Sequence, residues 1–197
     1  MPVKNLRHLP KAHLHLHLEG AMRPATLTEF CARYKIERPS DTRGQQFSNF
    51  TAFNEVYRAA SDSIRTKQDL ARVVLEVAED AAKDGANWIE LAFDADRYTI
   101  LRADRSLRLF ETPYEGWLFA LEAARNASEK TGVGISFISA IDRTRPIEQA
   151  NERAKLTTNL ISSQKHQITA KNINGGEPYA GIIGLGLHGN EEGYPPE

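Results

Sequence analysis

Lys11-Ala-His-Leu-His-Leu-His-Leu-Glu-Gly20 decides both the fold and the chemistry, because His13, His15, His17 and Glu19 fall on every second position with Leu14, Leu16 and Leu18 between them. A β-strand sends successive side chains to opposite faces. The period of two therefore predicts a strand over about 11–18, with three imidazoles and a carboxylate on one face and three leucines on the other. Neutral imidazole is the commonest protein ligand for zinc-like ions, and positions i and i+2 of a strand hold two ring nitrogens a few ångströms apart. His15 and His17 can thus grip one ion together. A catalytic zinc site needs at least three protein ligands and an open position, so this strand supplies only part of one. His166 and His188 are the histidines beyond the N-terminal segment, and neither stands in a comparable motif. The plainer alternative is a row of interior polar side chains satisfied by hydrogen bonds, which is costly for three histidines and a glutamate with no charge to serve. A purification tag does not fit, since leucines interrupt the histidines.

Outward from this strand, helices and strands alternate. Pro24 suits the first turn of a helix over about 24–35. A polar stretch, 36–52, precedes a helix carrying Phe53, Val56 and Tyr57. Thr66, with Asp69 three residues on, is an approximate capping box for a helix whose Leu70, Val73, Val74, Val77, Ala78 and Ala81 form one apolar stripe, ending at Gly85. Trp88 to Phe93 reads as a second strand. Thr112-Pro113-Tyr114-Glu115 is a fuller capping box for a helix that stops before Gly132, and Val133 to Ile141 is a third strand. Pro146 opens a helix through Ile147, Ala150, Ala154 and Leu160; the polar loop 172–176 then leads to a fourth strand, Gly181 to Leu187.

Four strand and helix units with apolar strands predict an α/β parallel sheet with helical crossovers. An open doubly wound sheet and a (β/α)8 TIM-type barrel both fit that order. In a barrel, functional residues sit at the C-terminal ends of strands, which is where the His/Glu row runs out. A doubly wound nucleotide fold calls for a glycine-rich turn after strand one, and Glu19-Gly20-Ala21-Met22 is no such turn. The barrel is favoured. A complete one takes about 250 residues, so the chain is read as one domain, 1–197, holding the first four β/α units and incomplete as given.

Composition narrows the function further. With 25 Lys and Arg against 26 Asp and Glu, the 197 residues carry no basic footprint for nucleic acid or an anionic membrane. Cys31 is the single cysteine, so no internal disulfide forms and it is expected to pack as a small apolar residue. Residues 1–8 show no hydrophobic signal core, and no apolar run approaches the roughly 20 residues of a bilayer span. A soluble, cytoplasmic protein is the expectation. The last residues, Glu191-Glu-Gly-Tyr-Pro-Pro-Glu197, follow a strand-like run directly, and the sequence reads as unfinished there. A cytidine-type zinc deaminase is excluded, because that chemistry needs a Pro-Cys-x-x-Cys segment.

Pro10-Lys-Ala-His-Leu-His-Leu-His-Leu-Glu-Gly-Ala21, followed by Pro24, Thr26-Leu27 and Phe30, resembles the opening of the adenosine deaminase family of the metal-dependent amidohydrolase superfamily. Asp84-Gly85 before Trp88-Ile-Glu-Leu91, and Leu187-His-Gly-Asn-Glu191, are similar to the family's second strand and to its Leu-Ala-Gly-Asp-Glu after strand four. The resemblance implies one Zn(2+) per site with His15 and His17 as ligands, His17 also lying against the substrate. It implies that Glu19 contacts the sugar side of a purine nucleoside, and that Gly189 offers its backbone to the purine ring, a place where lack of Cβ helps. Many adenosine deaminases carry aspartate at the position of Glu19, and relatives acting on adenine or modified nucleosides carry glutamate. The substrate therefore stays open between adenosine, adenine and an aminodeoxyfutalosine-type nucleoside.

Several positions depart from the pattern. His13 stands where the family is often acidic and is expected below the metal as a structural residue; Asn190 replaces an aspartate; His188 replaces a small residue and is expected in a solvated loop. Glu90-Leu-Ala-Phe-Asp-Ala95 lacks the family's arginine and proline. The family's His-Ala-Gly-Glu segment, its water-assisting histidine and its Asp-Asp pair do not occur in 1–197. No catalytic acid or base is thus assigned within this chain, which is expected to be inactive alone and to need a C-terminal half barrel. Two other readings remain: a different amidohydrolase, which would want a metal-bridging lysine although none follows Lys171, and a non-catalytic half barrel that binds a ligand or partner.

Overall fold

A computed structural model describes residues 9–100, 108–163 and 181–195. His166, Lys171 and the loop at 172–176 lie outside the described residues, as does the segment 1–8. The elements are β1 (Lys11–His17), α1 (Pro24–Tyr34), α2 (Phe50–Ser61), α3 (Lys67–Asp84), β2 (Ala86–Phe93), α4 (Pro113–Thr131), β3 (Gly134–Asp142), α5 (Ile147–Ser162) and β4 (Gly181–His188), with short 3-10 turns at Glu19–Ala21 and Ala95–Tyr98. Among the described residues the strands form one sheet, all parallel, in the order β1-β2-β3-β4. Sequence order and spatial order coincide. The sheet is therefore wound in one direction, as a barrel requires, and has no point at which the strand order reverses, as a doubly wound sheet must.

Local chemistry explains where the helices begin and end. The Thr66 hydroxyl accepts from the Asp69 N–H while the Asp69 carboxylate accepts from the Thr66 N–H, both at 3.0 Å, and Gly85 closes α3 at φ 83°. At α4 the box is half made. Thr112 accepts from the Glu115 N–H at 3.2 Å, but Glu115 turns back to accept from the Glu111 N–H instead. The shorter Asp69 side chain thus completes the box that the longer Glu115 leaves open. Cys31 is buried on α1, where burial raises its thiol pKa.

The core lies between one face of the sheet and α3 and α4. Ile89, Leu91 and Phe93 of β2 and Ile135 and Phe137 of β3 are buried there with Val73, Val77, Trp117 and Ala124. Trp117 meets Phe93 edge to face at 5.1 Å and Phe137 at 5.8 Å. Truncating Phe137 to alanine would cost about 3–5 kcal/mol. This layer fixes which side of each strand looks toward the helices, and hence which side is left for the site.

Register corrects the reading of the histidine row. His13 pairs with Ile89, and the next pair is Leu16 with Leu91, so Leu14 and His15 together oppose Glu90 alone. This is a β-bulge, and His15 sits in it at φ 62°. Paired residues of parallel strands share a face, so His13 lies on the helix side with Ile89 whereas His17 lies on the opposite side with Ala92. The row does not share one face. His13 does not lie below a metal; its Nε2 is 3.4 Å from Asp84 at the end of α3. Leu14, displaced by the bulge, is 62% exposed. Glu19 is not on the strand at all, because the chain turns helical at Leu18 and Glu19 opens the 3-10 turn.

Candidate metal and purine site

The C-terminal strand ends open into a cavity of about 1460 Å³ whose lining includes His15, His17, Glu19, Asp94, His188 and Gly189. His15 and His17 meet edge to face with ring centroids 5.3 Å apart. Both line the cavity, as the two-residue spacing leads one to expect, while the bulge leaves His13 behind on the helix side. Burial, and next to it the neighbouring His15, lowers the pKa of His17, with Glu19 opposing the shift.

His188 joins them. It is not in a solvated loop: it is the last residue of β4, half-buried, 4.8 Å from the His17 ring and 6.1 Å from that of His15. Burial first, then the two other imidazoles, push its pKa down to about 4. Its Nε2 is buried without a hydrogen-bond partner, a defect that costs about 1–3 kcal/mol.

Glu19 is buried and held at both oxygens. Tyr57 of α2 donates to Oε2 at 2.7 Å, and Tyr98, fully buried after β2, donates to Oε1 at 2.6 Å. Burial, with Glu19 next, raises the pKa of both phenols, so they stay protonated donors. Asp94, at the end of β2, has its pKa pushed up to about 6 by burial, with Arg153 drawing it down and Asp96 and Glu19 adding to it. Arg153 lies 3.6 Å from Asp94 and is hydrogen-bonded to Asp96. Gly189 adopts φ +95°, and a Cβ there would meet Asp142 Oδ1 at 2.6 Å. Its glycine identity follows from the backbone turn itself.

The sequence reading singled out His15, His17, Glu19 and Gly189, and all four line this cavity. It missed Tyr57 and Tyr98 as partners of Glu19, since they lie 38 and 79 residues away. It also passed over Asp94, although a carboxylate directly after a strand occupies the position that the barrel rule marks as functional. The donor types suit zinc: the exposed His15 and the half-buried His17 imidazoles stand together, with His188 alongside. Among the described residues, no three His, Cys, Asp or Glu side chains stand positioned to hold an ion. His15 and His17 therefore fit as a partial set. Among the described residues, no helix is long and apolar enough to cross a membrane.

Known proteins are similar to this chain in sequence and fold. The sequence is 30% identical over 193 residues to the adenine deaminase of Vibrio parahaemolyticus, covering 95% of this chain and 50% of that protein. It is 26% identical over 198 residues to the adenosine deaminase of Clostridium acetobutylicum, covering 96% and 52%. An amidohydrolase of Burkholderia ambifaria, solved with bound zinc, superposes with a TM-score of 0.68 at 22% identity over 97% of this chain and 47% of that one. The chain thus spans about half the length of the curated relatives it matches, and the superposition identifies its sheet as half of a TIM-type barrel. The family described as adenosine deaminase matches residues 10–197, nearly the whole of this sequence: the chain belongs to the adenosine deaminase family.

Proposed function

We propose that this chain is the metal-binding N-terminal portion of a zinc-dependent hydrolytic deaminase acting on adenosine, adenine or a related aminopurine, with release of ammonia. The observation that carries the reading is the paired His15 and His17 imidazoles at the C-terminal end of β1, inside a cavity, in a chain of this family. His15 and His17 would hold one zinc ion. When bound, zinc supplies a Lewis acid that makes water acidic enough to serve as a nucleophile near neutral pH. His17 would also face the purine. Glu19, fixed by two phenols, presents an oriented carboxylate to a hydroxyl or ring N–H of the ligand, and Gly189 presents backbone where a side chain would block the ring. The partners are a small purine and a C-terminal half barrel that brings the remaining ligands and the proton donor.

General acid and base groups each contribute about 10² to 10⁴-fold, so the chain alone should not turn over. Co-expression with residues of a relative's C-terminal half, followed by ammonia release from adenosine and from adenine, tests the reading. Activity that needs both halves and is lost in His17→Ala supports it. Turnover by residues 1–197 alone, or activity indifferent to His17→Ala, contradicts it.

A further inference from the structure

We propose that Asp94 is a specificity-determining residue, whose uncommitted carboxylate oxygen accepts the N9–H of an aminopurine base and so selects the free base over its nucleoside. The proposal rests on the reading of this cavity as a purine site and narrows its substrate. His17 pairs with Ala92, and paired residues of parallel strands share a face. Asp94 stands two residues beyond Ala92 with its backbone still extended, so it borders the same cavity one step nearer the mouth. Glu19 stands two residues beyond His17 and borders that cavity as well. Tyr98 closes the short turn that Asp94 caps and donates to Glu19, so one element ties the two carboxylates together.

The two oxygens of Asp94 are not equivalent. Oδ1 accepts from the Asp96 N–H at 3.1 Å, as the cap of the turn Ala95–Tyr98, and lies 3.6 Å from Arg153. Among the described residues Oδ2 has no hydrogen bond, and the side chain is 33% exposed where it borders the cavity. Glu19, by contrast, has a phenol on each oxygen. Asp94 therefore holds the free acceptor of the pair. Arg153, hydrogen-bonded to Asp96, anchors the turn from α5 and favours the charged, accepting form of Asp94.

The spacing fits a base better than a nucleoside. Strands rise about 3.3 Å per residue, which puts Asp94 about 6–7 Å beyond the level of His17. In a purine held with its amino-bearing C6 beside His17, the far edge carries N9, and the width of the ring system, about 4 Å from C6 to N9, with a hydrogen bond of about 2.9 Å, covers that distance. A nucleoside replaces the N9 hydrogen by a sugar carbon, which leaves Oδ2 without a donor. A site built to hydrogen-bond an N–H rejects the analogue lacking it far more strongly than an apolar pocket rejects an added group.

The test is calorimetric titration of the full 197-residue chain with adenine, 9-methyladenine and adenosine at a pH of about 8, where Asp94 is charged, with circular dichroism to confirm the folding of each variant. Adenine is expected to bind roughly 10- to 100-fold more tightly than adenosine or 9-methyladenine, which carries a methyl group in place of the N9 hydrogen. Asp94→Ala should weaken adenine by that factor and leave 9-methyladenine within about twofold, erasing the preference. Asp94→Asn serves as a second variant should Asp94→Ala fail to fold: it keeps an acceptor for the Asp96 N–H, turns an amide N–H toward the ligand, and should erase the preference as well. Equal binding of the three purines by the wild type, or a preference for adenine that survives in either folded variant, overturns the proposal. Binding of none of the three overturns it too, while His17-dependent ammonia release from adenosine by the complex of the two halves would still leave the deaminase reading standing.

Discussion

Replacing Tyr98 by phenylalanine removes one oxygen and nothing else from a fully buried position. That oxygen donates to Glu19 Oε1 at 2.6 Å. A hydrogen bond to a charged group is worth about 1.5–3 kcal/mol, and the buried acceptor left behind finds no water in exchange. Tyr98→Phe should therefore destabilise the chain by about 2 kcal/mol, which for a domain of this size lowers Tm by roughly 4–8 °C. Tyr57→Phe, at 2.7 Å on the other oxygen and less buried, should cost less. Glu19→Gln keeps the shape and removes the charge, so in that background the Tyr98→Phe penalty should shrink to about 1 kcal/mol, the value of a neutral pair. Thermal and urea unfolding of the four members of this double-mutant cycle measures the coupling directly. Equal Tyr98→Phe penalties in both backgrounds would refute the claim that the phenol acts through the Glu19 carboxylate.

Three further outcomes follow from the geometry. Gly189→Ala should cost about 1–3 kcal/mol in unfolding experiments, because φ +95° disfavours a side chain and Asp142, hydrogen-bonded to Thr144, has little freedom to retreat; a neutral effect would show the turn to be adaptable. Asp94 has its folded pKa raised to about 6 from 3.8, so the folded chain retains a proton through that window which the unfolded chain has released, and stability falls as pH rises from about 4 to 6. Asp94→Asn should accordingly raise Tm relative to wild type at pH 7 more than at pH 4, and a gain confined to pH 4 would reverse the sign. His13→Ala should leave zinc affinity unchanged and cost under about 1 kcal/mol, as expected for a half-exposed pair with Asp84; a large loss of metal affinity would return His13 to the site.

Much of the fold was legible because local chemistry writes it. The α3 stripe, the Thr66 and Thr112 starts and the Gly85 and Gly132 stops all depend on neighbours within one or two turns. The alternation of units likewise gave the parallel sheet. The bulge was not legible, since His-Leu-His-Leu-His is equally periodic with or without a slip of one residue, and only the partner strand's register reveals it. His15 and His17 stand side by side despite that slip, whereas it puts His13 on the face opposite to the one alternation assigns. The neighbourhood of His188 depends on sheet curvature, and the grip of Tyr57 and Tyr98 on Glu19 depends on contacts between distant elements. Sequence spacing carries neither.

The most direct measurement is anomalous scattering at the zinc edge from crystals of the zinc-loaded chain. The expected result is one peak at the C-terminal end of β1, about 2.0–2.1 Å from nitrogens of both His15 and His17. A zinc peak elsewhere, or one bound without these two imidazoles, would contradict the assignment of this strand as the metal-binding strand of a deaminase.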